Sequence, residues 1–168
     1  MKNRIFISLI IILFIKSTIA AFAQTTDGFK GFRWGTDFSL MKNKLGLILK
    51  ETSGNSKLYT SNVTSIGEVK LTYCIFTFYK NKFSVVLMVT EGFWNIRNLL
   101  DILKEKYGDD YDEFELLDTY LWHLDGTTVG YIRDKTKKVA TTYIRSDSLY
   151  QEIQNDKKKK AKEGAKDF

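Results

Sequence analysis

Apolar positions along the chain change period several times, and each change marks an expected element. Phe38, Met41, Leu45 and Ile48 fall on one face of a 3.6-residue period. A helix is therefore expected from a Thr36 or Asp37 cap to about Leu47, with Gly46 weakening its end. Before it, residues 29–33 read as a short edge strand. After it, residues 51–56 read as a polar break around Gly54. Residues 57–62 and 66–79 are rich in β-branched and aromatic side chains and are expected to be strands. Lys80-Asn81-Lys82 is a hairpin turn, because Asn tolerates positive φ, and residues 83–90 return.

These two strands are apolar on both alternating faces. Tyr73, Ile75 and Tyr79 point one way, and Cys74, Phe76 and Phe78 the other; Phe83, Val85, Leu87 and Val89 oppose Val86 and Met88. Such a strand is covered on both sides, or keeps one face for a partner. A second helix is expected over residues 94–107, with Ile96, Leu99, Leu100, Leu103 and Tyr107 as its buried stripe and Gly108 closing it. Trp94 lies off that stripe and is expected to be exposed. Tyr73, Ile75, Tyr79, Val85, Leu87 and Trp94 are thus the candidate partner or ligand surface.

Residues 109–118 form an acidic connection. Three short strands follow, at 120–124, 128–134 and 138–145, with Asp125-Gly126 and residues 134–137 as turns. Ser146 or Asp147 caps a last helix whose apolar side is Leu149, Tyr150 and Ile153. The expected fold class is α+β: an antiparallel sheet with amphipathic helices packed mainly on one face, in helix-meander-helix-meander order. No residue-level repeat accompanies that plan.

The two ends differ from the middle. Lys2 and Arg4 precede an apolar run, residues 5–15, interrupted only by Ser8, and Ala21-Phe22-Ala23 has the small-x-small form of a signal-peptidase site. Residues 1–23 are expected to be a signal peptide cleaved after Ala23, since the run is far short of the roughly 20 residues that span a bilayer. With no Cys at the cut, lipid anchoring is not expected. The domain is expected at 24–155, and residues 156–168 as a flexible lysine-rich tail that frays into solvent. A hydrophobic content of 43% and an aromatic content of 14% suffice for one core.

The net charge of +6 belongs to those ends, because Lys2, Arg4 and Lys16 lie in the leader and six lysines lie in the tail. The remainder is close to neutral, which disfavours nucleic-acid binding. The expected localisation is periplasmic or secreted.

Gly31-Phe32-Arg33-Trp34-Gly35-Thr36, running directly into a helix, resembles the opening of small exported bacterial proteins of unknown function. Those proteins also carry a Phe-x-x-x-Lys-Phe/Leu hairpin, here Phe78 to Phe83 with Asn81 where Asp-Gly is common, and a helix ending like Tyr107-Gly108. The element order is also similar to the α+β folds of outer-membrane assembly lipoproteins and lactamase-inhibitor proteins. The resemblance implies an envelope protein and transfers no reaction.

Residues able to carry chemistry are few. His123 and Cys74 are the single histidine and cysteine. A nucleophile–base device would require their strands to be neighbours and their side chains to share a face. The favoured readings are a part-exposed strand histidine and a small buried hydrophobe. Asp109, Asp110, Asp112, Glu113 and Glu115 lack the spacing of a calcium loop and read as a solvated acidic segment. Trp34 and Trp122 read as core anchors, with Trp34 at the base of the first helix. No catalytic, metal or cofactor residue is assigned. The function expected is a non-enzymatic envelope module binding a protein partner or itself; the alternatives are an apolar-ligand or lipid-binding protein and an uncharacterised hydrolase.

Overall fold

The computed structural model describes residues 27–167. The expected signal peptide, residues 1–23, lies outside them. Two short strands, β1 (Gly28–Phe29) and β2 (Phe32–Arg33), form a small hairpin where a single edge strand was expected. Helix α1 (Phe38–Leu45) follows, capped by Asp37, whose carboxylate accepts the Ser39 amide at 2.9 Å. Gly46 stops it two residues earlier than expected by adopting a left-handed φ of 56°, so Ile48 starts a strand and is exposed.

Four strands come next in the main sheet: β3 (Ile48–Ser53), β4 (Ser56–Thr60), β7 (Tyr73–Tyr79) and β8 (Lys82–Glu91). A small hairpin of β5 (Ser65–Ile66) and β6 (Val69–Lys70) is inserted between β4 and β7. Helix α2 (Phe93–Tyr107) leads into β9 (Asp112–Phe114), a 3-10 turn (Glu115–Leu117), β10 (Thr119–Leu124), β11 (Thr127–Asp134) and β12 (Val139–Ser146). Helix α3 (Asp147–Gly164) closes the order, with Ser146 as its cap.

The eight-stranded sheet has the order β3-β4-β7-β8-β12-β11-β10-β9, and every neighbour is antiparallel. In sheet order β3-β4-β7-β8 and β9-β10-β11-β12 make two halves, which join through β8 and β12. The expected large antiparallel sheet in a mixed α and β chain is therefore present.

Strand alternation gives the sheet two unlike faces. The inner face carries Tyr59, Phe76, Phe78, Val86, Ile144, Val129, Tyr131 and Trp122, all buried. On this side Phe38 of α1 stacks on Tyr59 with ring centroids 4.5 Å apart and meets Phe78 edge-on at 5.3 Å. Two buried side chains pin α2 here: the Tyr131 hydroxyl donates to the Ile96 carbonyl at 2.9 Å, and Trp122 Nε1 donates to the Gly108 carbonyl at 2.8 Å.

The β7–β8 register corrects one expectation. Phe83 does not share a face with Val85. A bulge places Ser84 as an extra residue opposite Thr77 and Phe78, which turns Phe83 into the core beside Phe76 and Phe78. Trp34 packs on Phe83 at 4.7 Å and donates to the Thr127 hydroxyl at 2.8 Å, so it braces the two halves of the sheet. The tail boundary expected at Asp156 falls inside α3, because Tyr79 and Lys80 both hold the Asp156 carboxylate. Among the described residues no helix is long and apolar enough to cross a membrane.

Candidate functional site

Among the described residues the outer sheet face is crossed by one helix. α3 leaves the end of β12 and passes under the β7–β8 and β3–β4 turns, where Lys80 bonds Glu152 at 2.9 Å and Asp156 at 2.7 Å. Tyr150 lies under the Arg145 guanidinium, 3.9 Å from ring centre to cation. Beyond this strip the outer face is partly open among the described residues, although Val89 on it is buried.

Strand register fixes what the open part presents. One row runs Ile48, Thr60, Ile75, Leu87, Tyr143, Gly130, Leu121 and Asp112 across all eight strands. The next row, towards the far end of the sheet, runs Tyr73, Val89, Thr141, Ile132, Thr119 and Phe114. Tyr73, Ile132 and Phe114 are 46%, 42% and 46% exposed. Threonines interleave with the apolar side chains, so the surface is amphipathic at its margins and apolar along its middle. Gly130 makes room for that middle: a Cβ there would overlap the Tyr143 ring, so the ring lies across bare backbone.

Of the candidate residues, Tyr73, Ile75, Val85 and Leu87 lie together on this face, with Ile75 opposite Leu87. Tyr79 points the same way but is closed off: it is 4% exposed, and its hydroxyl donates to Asp156 of α3. That acceptor raises the Tyr79 pKa above its ordinary value. Trp94 is 69% exposed as expected, yet it stands on α2, the helix packed against the inner face, and meets Phe93 edge-on at 5.3 Å. It is therefore not part of the outer face. Tyr143, Leu121, Ile132 and Phe114 escaped the sequence reading. The alternation in β12 was the available signal, but it could not say which half of β10 and β11 shares the face.

The remaining chemistry separates in space. Cys74 is buried on the inner face of β7, where burial pushes its thiol up to about 11. His123 lies on the outer face of β10, with three strands between β10 and β7 in sheet order, and with Asp112 at 3.5 Å. They share neither a strand pair nor a face, so they cannot form a thiol–imidazole couple. Among the described residues no group of three His, Cys, Asp or Glu side chains is gathered to hold a metal ion.

A separate groove of about 650 Å3 opens between α2 and the β11–β12 turn, floored by Phe93, Ile96 and Leu100 and edged by basic side chains.

No protein family, no curated protein and no solved structure matches this chain.

Proposed function

We propose that this chain is an exported, non-enzymatic binding module of the bacterial cell envelope, which docks a protein partner or a second copy of itself on its outer sheet face. The observation that carries the reading is the Ile48–Thr60–Ile75–Leu87–Tyr143–Gly130–Leu121 row, in register across seven strands and mostly apolar, and left partly open by the one helix on that side among the described residues. An apolar surface of that kind is costly to leave wet and usually marks a partner site. Aromatic anchors such as Tyr73 and Tyr143 are the side chains interfaces favour. Export with cleavage after Ala23, and kinship with small exported proteins that open on Trp-Gly-Thr, belong to the same proposal. They rest on residues 1–23 and on Trp34-Gly35-Thr36 leading towards α1.

The test is capture from envelope extracts with the mature chain as bait, alongside sedimentation at micromolar concentration. Ile75→Glu with Leu87→Glu places two carboxylates in the middle of the row. Capture, or the dimer, is expected to weaken at least about 10-fold. Unchanged capture by a variant that circular dichroism shows to be folded would sink the proposal.

A further inference from the structure

We propose that the groove between α2 and the β11–β12 turn is a second site, independent of the outer face, which takes a single-chain amphiphile with one anionic head group. Its volume, about 650 Å3, lies within the roughly 300–1,000 Å3 of small-molecule sites. Ile96 and Leu100 form an apolar floor on one flank of α2, and Phe93 extends it while remaining 64% exposed. Leaving that ring in water is unfavourable unless something covers it.

The charges give the groove a direction. Four cations edge it, but Arg133 and Lys135 are already spent on Asp118, at 2.6 Å and 3.2 Å. Arg97 and Lys138 make no ion pair among the described residues. Of the two acids in the lining, Asp134 is engaged by the Lys137 amide at 2.9 Å and the Lys137 ammonium at 3.3 Å. Asp101 follows Arg97 by one turn of α2, away from Lys138, so it repels an anion from the distal end.

The open cations therefore gather where α2 begins. The first turn of α2 also has no acidic residue and no side-chain cap, so its amide N–H groups add positive potential there. A carboxylate or phosphate head fits between Arg97 and Lys138, and its alkyl chain lies along Ile96 and Leu100. The walls are held in place without a ligand: the Gly92 amide donates to the Lys138 carbonyl at 3.2 Å, and Tyr131 fixes Ile96.

The experiment is calorimetric titration of the mature chain with decanoate below its micelle concentration, with decanol and decyltrimethylammonium as matched probes. One decanoate per chain is expected to bind, at least about 10-fold more tightly than either control. Arg97→Gln with Lys138→Asn is expected to remove that preference; both side chains are exposed, and Asn tolerates the positive φ of 53° at this position. Leu100→Trp is expected to block all three probes by filling the floor. Equal binding of the three probes, no binding, or a preference that survives the double substitution would overturn the proposal. Binding to anionic vesicles without binding of monomeric decanoate would also overturn it, since the surface would then recognise a membrane. Ile75→Glu with Leu87→Glu separates the two sites: it is expected to leave decanoate binding intact, and loss of binding would place the amphiphile on the outer face instead.

Discussion

The same strands present two faces built from much the same amino acids, and the two behave differently. On the inner face Phe76, Val86, Ile144, Val129 and Trp122 are buried under α1 and α2. On the outer face Ile75, Leu87, Tyr143 and Leu121, one residue along from each of Phe76, Val86, Ile144 and Trp122, remain partly open. Residue type does not set the difference. It comes from which way each helix turns as it leaves its strand, and from α3 being anchored only along one edge. Apolar content alone therefore does not identify a core; cover does.

Truncation should expose this asymmetry most strongly. Phe76→Ala empties a site with no solvent exposure, surrounded by the rings of Phe29 and Phe83. A loss of about 3–5 kcal/mol is expected in denaturant unfolding. Leu87→Ala, on the neighbouring strand of the other face, is expected to cost less, about 1–2 kcal/mol, because the side chain is only partly withdrawn from water. Equal losses would mean that the outer face is covered in solution, by a second copy or another segment.

The inner face also has a polar margin. Asp118 receives Arg133 Nε at 2.6 Å and Nη2 at 2.8 Å in a forked pair, and Lys135 at 3.2 Å. Burial pushes the Asp118 carboxyl up, but the hydrogen bonds from Arg133 and Lys135 outweigh it and hold the carboxyl below its ordinary 3.8. A depressed carboxylate contributes stability above its unfolded pKa and loses it as pH falls through the folded value. Wild type is thus expected to lose this contribution below about pH 4. Asp118→Ala is expected to lower stability by about 1–3 kcal/mol at pH 7 and to flatten the acid limb. An acid limb identical to wild type would remove Asp118 as its source.

The sequence exposed these features unevenly. The β7–β8 hairpin could be read because Lys80 and Asn81 take the positive φ values, 49° and 65°, that a two-residue turn needs. α2 was readable from its stripe, and α3 from its Ser146 cap. β3 was not, because an exposed edge strand reading Ile-Leu-Lys-Glu-Thr-Ser has no buried face to impose alternation. β9 was hidden in the acidic segment for the same reason. The outer-face candidates on β7 and β8 were found from local alternation. Tyr143 and Leu121 required the β8–β12 pairing, a contact between distant parts of the chain. The cover over Tyr79 depended on where α3 crosses, which no local pattern encodes.

Gly130 allows a finer test of the outer face. Its missing side chain is what lets the Tyr143 ring lie across β11. Gly130→Ala forces the ring off, at an expected cost of about 1 kcal/mol. In a Tyr143→Ala background the same substitution is expected to be close to neutral, so a double-mutant cycle should show coupling of similar size. Additive losses would mean that the ring does not rest there. If the outer face docks a partner, Gly130→Ala should also weaken capture more than it weakens the fold.

The smallest expected effect concerns the one strip of outer face that is covered. α3 is held there by the Asp156 carboxylate, which accepts from Tyr79 and pairs with Lys80; these contacts keep its pKa below the ordinary value, Lys80 contributing most. Its lysines at 157–160 are exposed, so trypsin can reach them once the helix opens locally. Tyr79→Phe removes one of the two partners and leaves the ring in place. Cleavage within 157–160 is expected to accelerate about two- to threefold at pH 8, with little change in global unfolding, because opening needs only this end of the helix to leave the sheet. Tyr79→Phe with Lys80→Ala removes both partners and is expected to accelerate it further. If neither variant changes the cleavage rate, Asp156 does not hold α3, and the open outer face extends beneath it to Tyr79.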